Sequence, residues 1–168
     1  FMFSSHIQAA CPDWQGGAGK EVEWPTGFLG AEGNEGVTAQ IQQTQGAIGY
    51  IEYSYARSNK LAIATLQNKA GEFIFPSPDK AAQSFADIDV PEDFAVSIPD
   101  PSQPQAYPIV GLTWLLLYGD YDEPAKAKSL QEFITWAVTK GDGYAEELGY
   151  IPIPPDLEQR VLAIAKQL

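Results

Sequence analysis

Gly46-Ala-Ile-Gly-Tyr-Ile-Glu-Tyr-Ser-Tyr-Ala56 is the stretch on which the reading of the fold turns. Gly46 suits a turn. The Ile- and Tyr-rich run behind it, through Tyr55, is expected to be a buried strand, because β-branched and aromatic side chains fit a pleated surface. On its N-terminal side, Val37, Ile41 and Thr44 share one helical face behind Asn34, which stands where an N-cap belongs. On its C-terminal side, residues 61–66 and 73–75 read as a strand pair joined around Ala70-Gly71, and residues 78–85 as a short helix.

Phe3, Ile7 and Ala10 have helical spacing and stop before Pro12. A loop at Gly16, Gly17 and Gly19 leads to residues 20–24, where Val22 and Trp24 alternate with Glu21 and Glu23 as in a short strand. The stretch Pro99-Asp-Pro-Ser-Gln-Pro104 has the composition of a linker, being stiffened by proline and crossed by no apolar face. Residues 107–118 form a long apolar run that predicts a strand buried on both sides. Two helices complete the pattern. Residues 125–140 carry Ala127, Leu130, Ile134, Ala137 and Val138 on one face, with Pro124 in the first turn and Gly141 at the stop. Residues 156–168 carry Leu157, Val161, Ile164 and Leu168. Helices alternating with strands argue for an α/β fold.

With 22 acidic and 10 basic residues, the chain has a formal charge of −12. Nucleic acid and anionic membrane surfaces are poor partners for such a chain, since phosphate backbones are held by clustered Lys and Arg. A small anion is not excluded, because it is held by local N–H groups and hydroxyls. The longest apolar run, residues 110–118, is about half the length of a membrane span, so no span is expected. The chain opens on Phe1 with no leader features and runs directly into a helical pattern, which is read as a chain cut from something longer.

Catalytic chemistry is hard to assemble from these residues. His6 is the sole histidine, and it is expected to sit at the surface or to cap a helix. Cys11 is the sole cysteine, expected to be a buried or half-buried inert thiol. Asp120, Asp122 and Glu123, like Glu146 and Glu147, are expected to be solvated, and no calcium-loop spacing is met. No metal, cofactor or enzymatic activity is expected. Trp14, Trp24, Trp114 and Trp136 are expected to pack in cores. The glycine-rich segment Gly27-Phe-Leu-Gly30-Ala-Glu-Gly33-Asn34-Glu-Gly36 lacks the Gly-Lys-Ser/Thr ending of a nucleotide loop, and reads either as a turn before a helix or as a loop lining a cleft.

Three stretches together resemble one family: Val22-Glu-Trp-Pro25 with the following glycine loop, the segment Gly46 to Ala56, and Tyr107-Pro-Ile109 followed by Leu130 to Trp136 with its Phe-x-x-Trp ending. They resemble the phosphate-binding proteins of bacterial ABC importers in order and in spacing. The resemblance implies part of a type II periplasmic-binding-protein fold, two hinged lobes with mixed sheets flanked by helices, with the N-terminal half absent. Residues 1–100 would be the remainder of the second lobe, and residues 101–168 the hinge crossing and C-terminal part of the first. It further implies a periplasmic or extracytoplasmic bacterial protein that binds inorganic phosphate and meets the membrane permease subunits of its transporter. In that family an Arg-x-x-x-Ser-Gly-Thr-Thr-like stretch precedes the Phe-x-Phe matching Phe1-Met2-Phe3, so direct ligands are expected upstream of Phe1. Phe1, Gly30, Gly33, Asn34 and Tyr50 remain as cleft-lining candidates. Molybdate or tungstate reception and a carboxylate-pair hydrolase are the alternative readings.

Overall fold

Whether an apolar run becomes sheet depends on its finding a partner, and few runs here do. The computed structural model describes residues 1–86 and 88–168. Within them the sheet consists of two short strands, β1 (Leu66–Gln67) and β2 (Phe73–Ile74), paired antiparallel with Leu66 opposite Ile74 and Gln67 opposite Phe73. The predicted pair around Ala70-Gly71 is therefore present but shorter than expected, with residues 61–65 outside it. The other regular elements among the described residues are helical: α1 (Met2–Ala10), α2 (Gly33–Gln43), α3 (Tyr53–Ser58), α4 (Pro78–Ala82) continued by a 3₁₀ turn (Gln83–Phe85), α5 (Pro124–Thr139), α6 (Asp142–Leu148) and α7 (Pro155–Ala165). The chain divides into two compact units, Phe1–Leu112 and Thr113–Leu168.

The first unit is organised around a buried strap. Ala106 and Pro108 are fully enclosed, and Pro101 is buried beside them. The proline-rich stretch expected to be a linker is thus a packed element, closed by an antiparallel bridge between Pro99 and Ile109. Asn68, buried at the β1–β2 turn, ties the hairpin to it. Its carboxamide N–H groups donate to the carbonyls of Pro104 (2.9 Å) and Ala106 (3.1 Å), and its oxygen accepts from the backbone N–H of Ala70 (3.1 Å) and Glu72 (3.0 Å). From the other side, buried Ser84 donates to the Tyr107 carbonyl (2.9 Å) while the Tyr107 N–H donates to the Lys80 carbonyl (3.0 Å). α4 itself starts as its sequence predicts, with Ser77 Oγ accepting from the Lys80 N–H and Pro78 in the first turn.

Three predicted strands do not form. Residues 20–24 keep their alternation, Val22 and Trp24 being half-buried and Glu21 and Glu23 exposed, but no neighbour pairs with them. In the stretch 46–55, residues 47–52 carry no strand and the remainder turns into α3. Local capping decides this. The Glu52 carbonyl accepts from the N–H groups of Tyr55 and Ala56, and the Glu52 carboxylate accepts from Ser54 Oγ (2.9 Å). The run 107–118 is buried only through its first residues. Beyond Leu112 it is exposed, with Leu116 94 % accessible. A strand hydrophobic on both sides needs two flanking strands, and none of the described residues supplies them.

In the second unit, α5 buries Ala127 and Ile134 and half-buries Leu130, Ala137 and Val138, as its periodicity predicts, and packs on α7. On α7 the buried positions are Leu157 and Ala165 rather than Ile164, a rotation of the inward stripe by about one residue. α6 was not foreseen, because Glu146 and Glu147 read as a solvated turn. They are solvated, but on a helix closed by Gly149 in the left-handed conformation (φ 86°).

Asn68→Ala is expected to lower the stability of the first unit by about 3 kcal/mol, since it leaves four backbone groups without their buried partner. Urea denaturation followed by circular dichroism measures this. Asn68→Asp keeps the two accepting bonds and turns a carboxylate on two carbonyls, so it should rescue little of the loss.

Candidate functional site

Trp24 lies at the centre of an aromatic wall. Its ring centroid is 5.4 Å from those of Trp14 and Phe28, 5.8 Å from Tyr50 and 6.3 Å from Phe3. Phe3, projecting from α1, and Tyr50 are stacked at 4.1 Å with their planes 10° apart. Each such pair contributes about 0.5–1.5 kcal/mol beyond simple burial. The wall brings together three parts of the chain, the start of α1, residues 14–28 and the segment before α3.

α2 positions that segment. Asn34 Oδ1 accepts the Glu52 N–H at 2.8 Å, two residues beyond Tyr50. Gly49 lies directly on the apolar face of α2, where an added Cβ would come within 2.9 Å of Ile41 Cδ1 and 3.1 Å of Val37 Cγ1. Glycine at 49 is what allows so close an approach.

Two helix starts border the wall, and they differ electrostatically. α2 carries Glu35 in its first turn, whose carboxylate accepts from Tyr55 Oη at 2.6 Å. That hydrogen bond holds Glu35 below the usual carboxylate range. An acid at this position already answers the positive end of the helix dipole. α1 has no acidic residue in its first turn and no side-chain cap, and the carbonyl of Phe1, its N-cap residue, receives Ser4 Oγ (2.8 Å) and the Ser5 N–H (2.9 Å). No group of three or more His, Cys, Asp or Glu side chains able to hold a metal occurs among the described residues.

Residues 2–140 match the PBP superfamily domain. The chain belongs to this superfamily. Within its length the chain is 36 % identical over 167 residues to the phosphate-binding protein PstS of Xylella fastidiosa strain 9a5c, which covers 97 % of this chain and 46 % of that protein. It is 38 % identical over 161 residues to the phosphate-binding protein PstS of Haemophilus influenzae, covering 94 % and 48 % respectively. The corresponding protein of Methanocaldococcus jannaschii is 36 % identical over 177 residues, covering 93 % and 45 %. The chain thus spans about half the length of the curated relatives it matches. No helix among the described residues is long and apolar enough to cross a membrane.

In this PBP superfamily chain the five cleft-lining candidates fall in three places. Tyr50 is in the aromatic wall, 51 % exposed, and Asn34 fastens its segment from α2. Asn34 is not the N-cap, a place taken by Glu32; its side chain reaches 18 residues along the chain instead. Phe1 heads α1 with its ring 61 % exposed. Gly33 opens α2 with φ 65°, and Gly30 lies in the exposed loop before it with open space where a Cβ would be.

Several side chains depart from expectation. His6 is buried, on the inner face of α1, and Cys11 is exposed. None of the four tryptophans is fully buried: Trp14 and Trp24 are half-buried in the wall, and Trp114 and Trp136 are exposed. Sequence reasoning missed Phe3 and Trp24 as one cluster. The alternation Val22-Glu-Trp24 was the available signal, but it could not say which distant ring Trp24 meets. Asn34→Ala is expected to speed amide exchange at Glu52 about fivefold, the effect of one net hydrogen bond, whereas Asn34→Asp, which keeps the acceptor, leaves it near the wild-type rate. Hydrogen-exchange NMR reads both.

Proposed function

We propose that this chain forms part of an extracytoplasmic receptor that binds inorganic phosphate and delivers it to the permease subunits of an ABC-type importer. The carrying observation is identity of about a third, over nearly the whole chain, with proteins named for phosphate binding. The role is binding, with no catalytic step. The reading assigns the protein a type II periplasmic-binding architecture of two hinged lobes, with residues 1–100 in the second lobe and residues 101–168 providing the hinge crossing and the C-terminal part of the first.

The geometry supports this reading at the start of α1. Helix N-termini attract anions through unpaired N–H groups and the dipole, and here neither a side-chain cap nor an acid competes for that position. The α2 start is a poor alternative, because Glu35 would repel an anion there. Direct phosphate ligands are assigned upstream of Phe1, with Phe1, Gly30, Gly33, Asn34 and Tyr50 lining the cleft wall. The strand-competent runs at 46–52 and 107–118 would find their sheet partners in the part of the relatives' length that this chain does not span.

Isothermal titration of phosphate, with sulfate as control, tests the assignment on this chain and on one extended upstream through the preceding lobe. Phosphate-selective binding in the extended chain alone is the expected result. Micromolar or tighter binding to the 168-residue chain would overturn the placement of the ligands, and no phosphate binding to either would overturn the substrate.

A further inference from the structure

Met2, the sole methionine of the chain, seats the first turn of α1 on the end of the strap. Gly111, two residues beyond the Pro99–Ile109 bridge, lies directly beneath its tip, so that a Cβ added there would run into Met2 Cε and Sδ. The thioether thus fills the space that a side chain at 111 would take. Met2 also walls a crevice, together with Ser5 and His6 of α1 and with residues 97–99 and 108–110 of the strap, and this crevice has no room for a water molecule. On the same helix, His6 Nδ1 stands 3.9 Å from Asp100 Oδ1.

The strap is a fixed wall. Pro108 is fully buried, the Tyr107 carbonyl and N–H are both hydrogen-bonded, and the Pro99–Ile109 bridge closes the loop. Met2 itself is half-buried, so solvent reaches the residue. A small oxidant can therefore approach it, while the crevice beside it has no place for an added oxygen.

We propose that Met2 is a redox-sensitive fastening: a peroxide converts its thioether to the sulfoxide, and the oxidised side chain leaves Gly111 and loosens α1 from the strap. In the reaction a sulfur lone pair attacks one oxygen of hydrogen peroxide. An S–O bond forms as the O–O bond breaks, and the second oxygen takes the proton of the first and leaves as water. Sulfur gives up two electrons and the peroxide accepts them. The product is a polar, chiral group in place of a flexible apolar one. Burying its oxygen without a donor is unfavourable. Turning that oxygen out to water lifts the sulfur off Gly111, so either placement breaks the contact. Enzymatic reduction of the sulfoxide restores the thioether. Because α1 also carries Phe3, the loosening extends to the Phe3–Tyr50 stack.

Peroxide treatment of the intact chain tests this, in a Cys11→Ser background because the exposed thiol also reacts. Mass spectrometry of the peptide that contains Met2 scores the added oxygen, and urea denaturation followed by circular dichroism reads its effect. Oxidation is expected to lower the urea midpoint by about 1 M and to speed amide exchange in α1. Treatment with the two sulfoxide reductases, one for each epimer, should reverse both changes. Met2→Leu keeps the apolar bulk, so it should hold the untreated midpoint and show no response to peroxide. Gly111→Ala, whose methyl displaces the thioether, should lower the midpoint without any oxidant. The fastening is overturned by an unchanged midpoint in the fully oxidised chain, by an equal peroxide loss in Met2→Leu, or by a Met2 that resists peroxide which oxidises it in the urea-unfolded chain. Should Gly111→Ala fail to fold, the comparison of the parent chain with Met2→Leu decides the matter.

Discussion

The carboxamide of Asn68 is the constraint on which the first unit depends. Buried among the described residues, it uses its amide N–H donors and its acceptor on backbone from two distant places, the β1–β2 turn and the strap at 104–106. A two-residue hairpin has no independent stability in water, and a proline-rich segment offers few N–H groups of its own. Each therefore borrows order from the other through this amide. Ser84 and the Tyr107 N–H fix the next residues of the strap to α4, so the line from 104 to 108 is held on both sides and can bury Ala106 and Pro108 completely. A seated strap then carries Asp100 to α1.

Local signals in this sequence were legible, and non-local ones were not. α4 follows its proline and Ser77 cap, α5 its proline and apolar periodicity, and α7 its leading prolines with the inward stripe turned by about one residue, because what forms a helix lies within a few turns. The segment Gly46 to Ala56 was misread in its conformation even though it carries the family resemblance. Its Ile and Tyr content expresses a capacity for burial, whereas Glu52, Ser54 and the Asn34–Glu52 bond determine the local path. Burial of His6 was equally invisible, since the face of α1 that turns inward is chosen by the strap nearly a hundred residues away. Apolar spacing at Phe3, Ile7 and Ala10 pointed to a neighbouring face.

Of the candidate site, the sequence read Asn34 as an N-cap and Tyr50 as part of a strand, and the structure gives each a different local setting. Asn34 serves the chain rather than a cap, and Tyr50 is one ring among five. What unites them is the close passage of Gly49 over Val37 and Ile41, a requirement no pattern of spacing expresses. The same passage explains why this loop can be exposed and still be ordered: its backbone is anchored on α2 by one hydrogen bond and one tight van der Waals contact.

A chain with a formal charge of −12 is an unpromising host for an anion only when its charge is treated as a single quantity. Exposed charges are screened within about 8 Å in physiological salt, and carboxylates such as Asp122, Glu146 and Glu147 lie on solvated surfaces of the second unit. What an anion meets is the field of the nearest few groups. At α2 that field is already answered by Glu35, and Tyr55 keeps this carboxylate ionised by hydrogen-bonding it. α1 has neither an acidic residue in its first turn nor a side-chain cap. Net acidity therefore disfavours polyanions, which need a broad basic surface, without deciding how the chain meets a compact oxyanion, which is held by a few local N–H groups and hydroxyls.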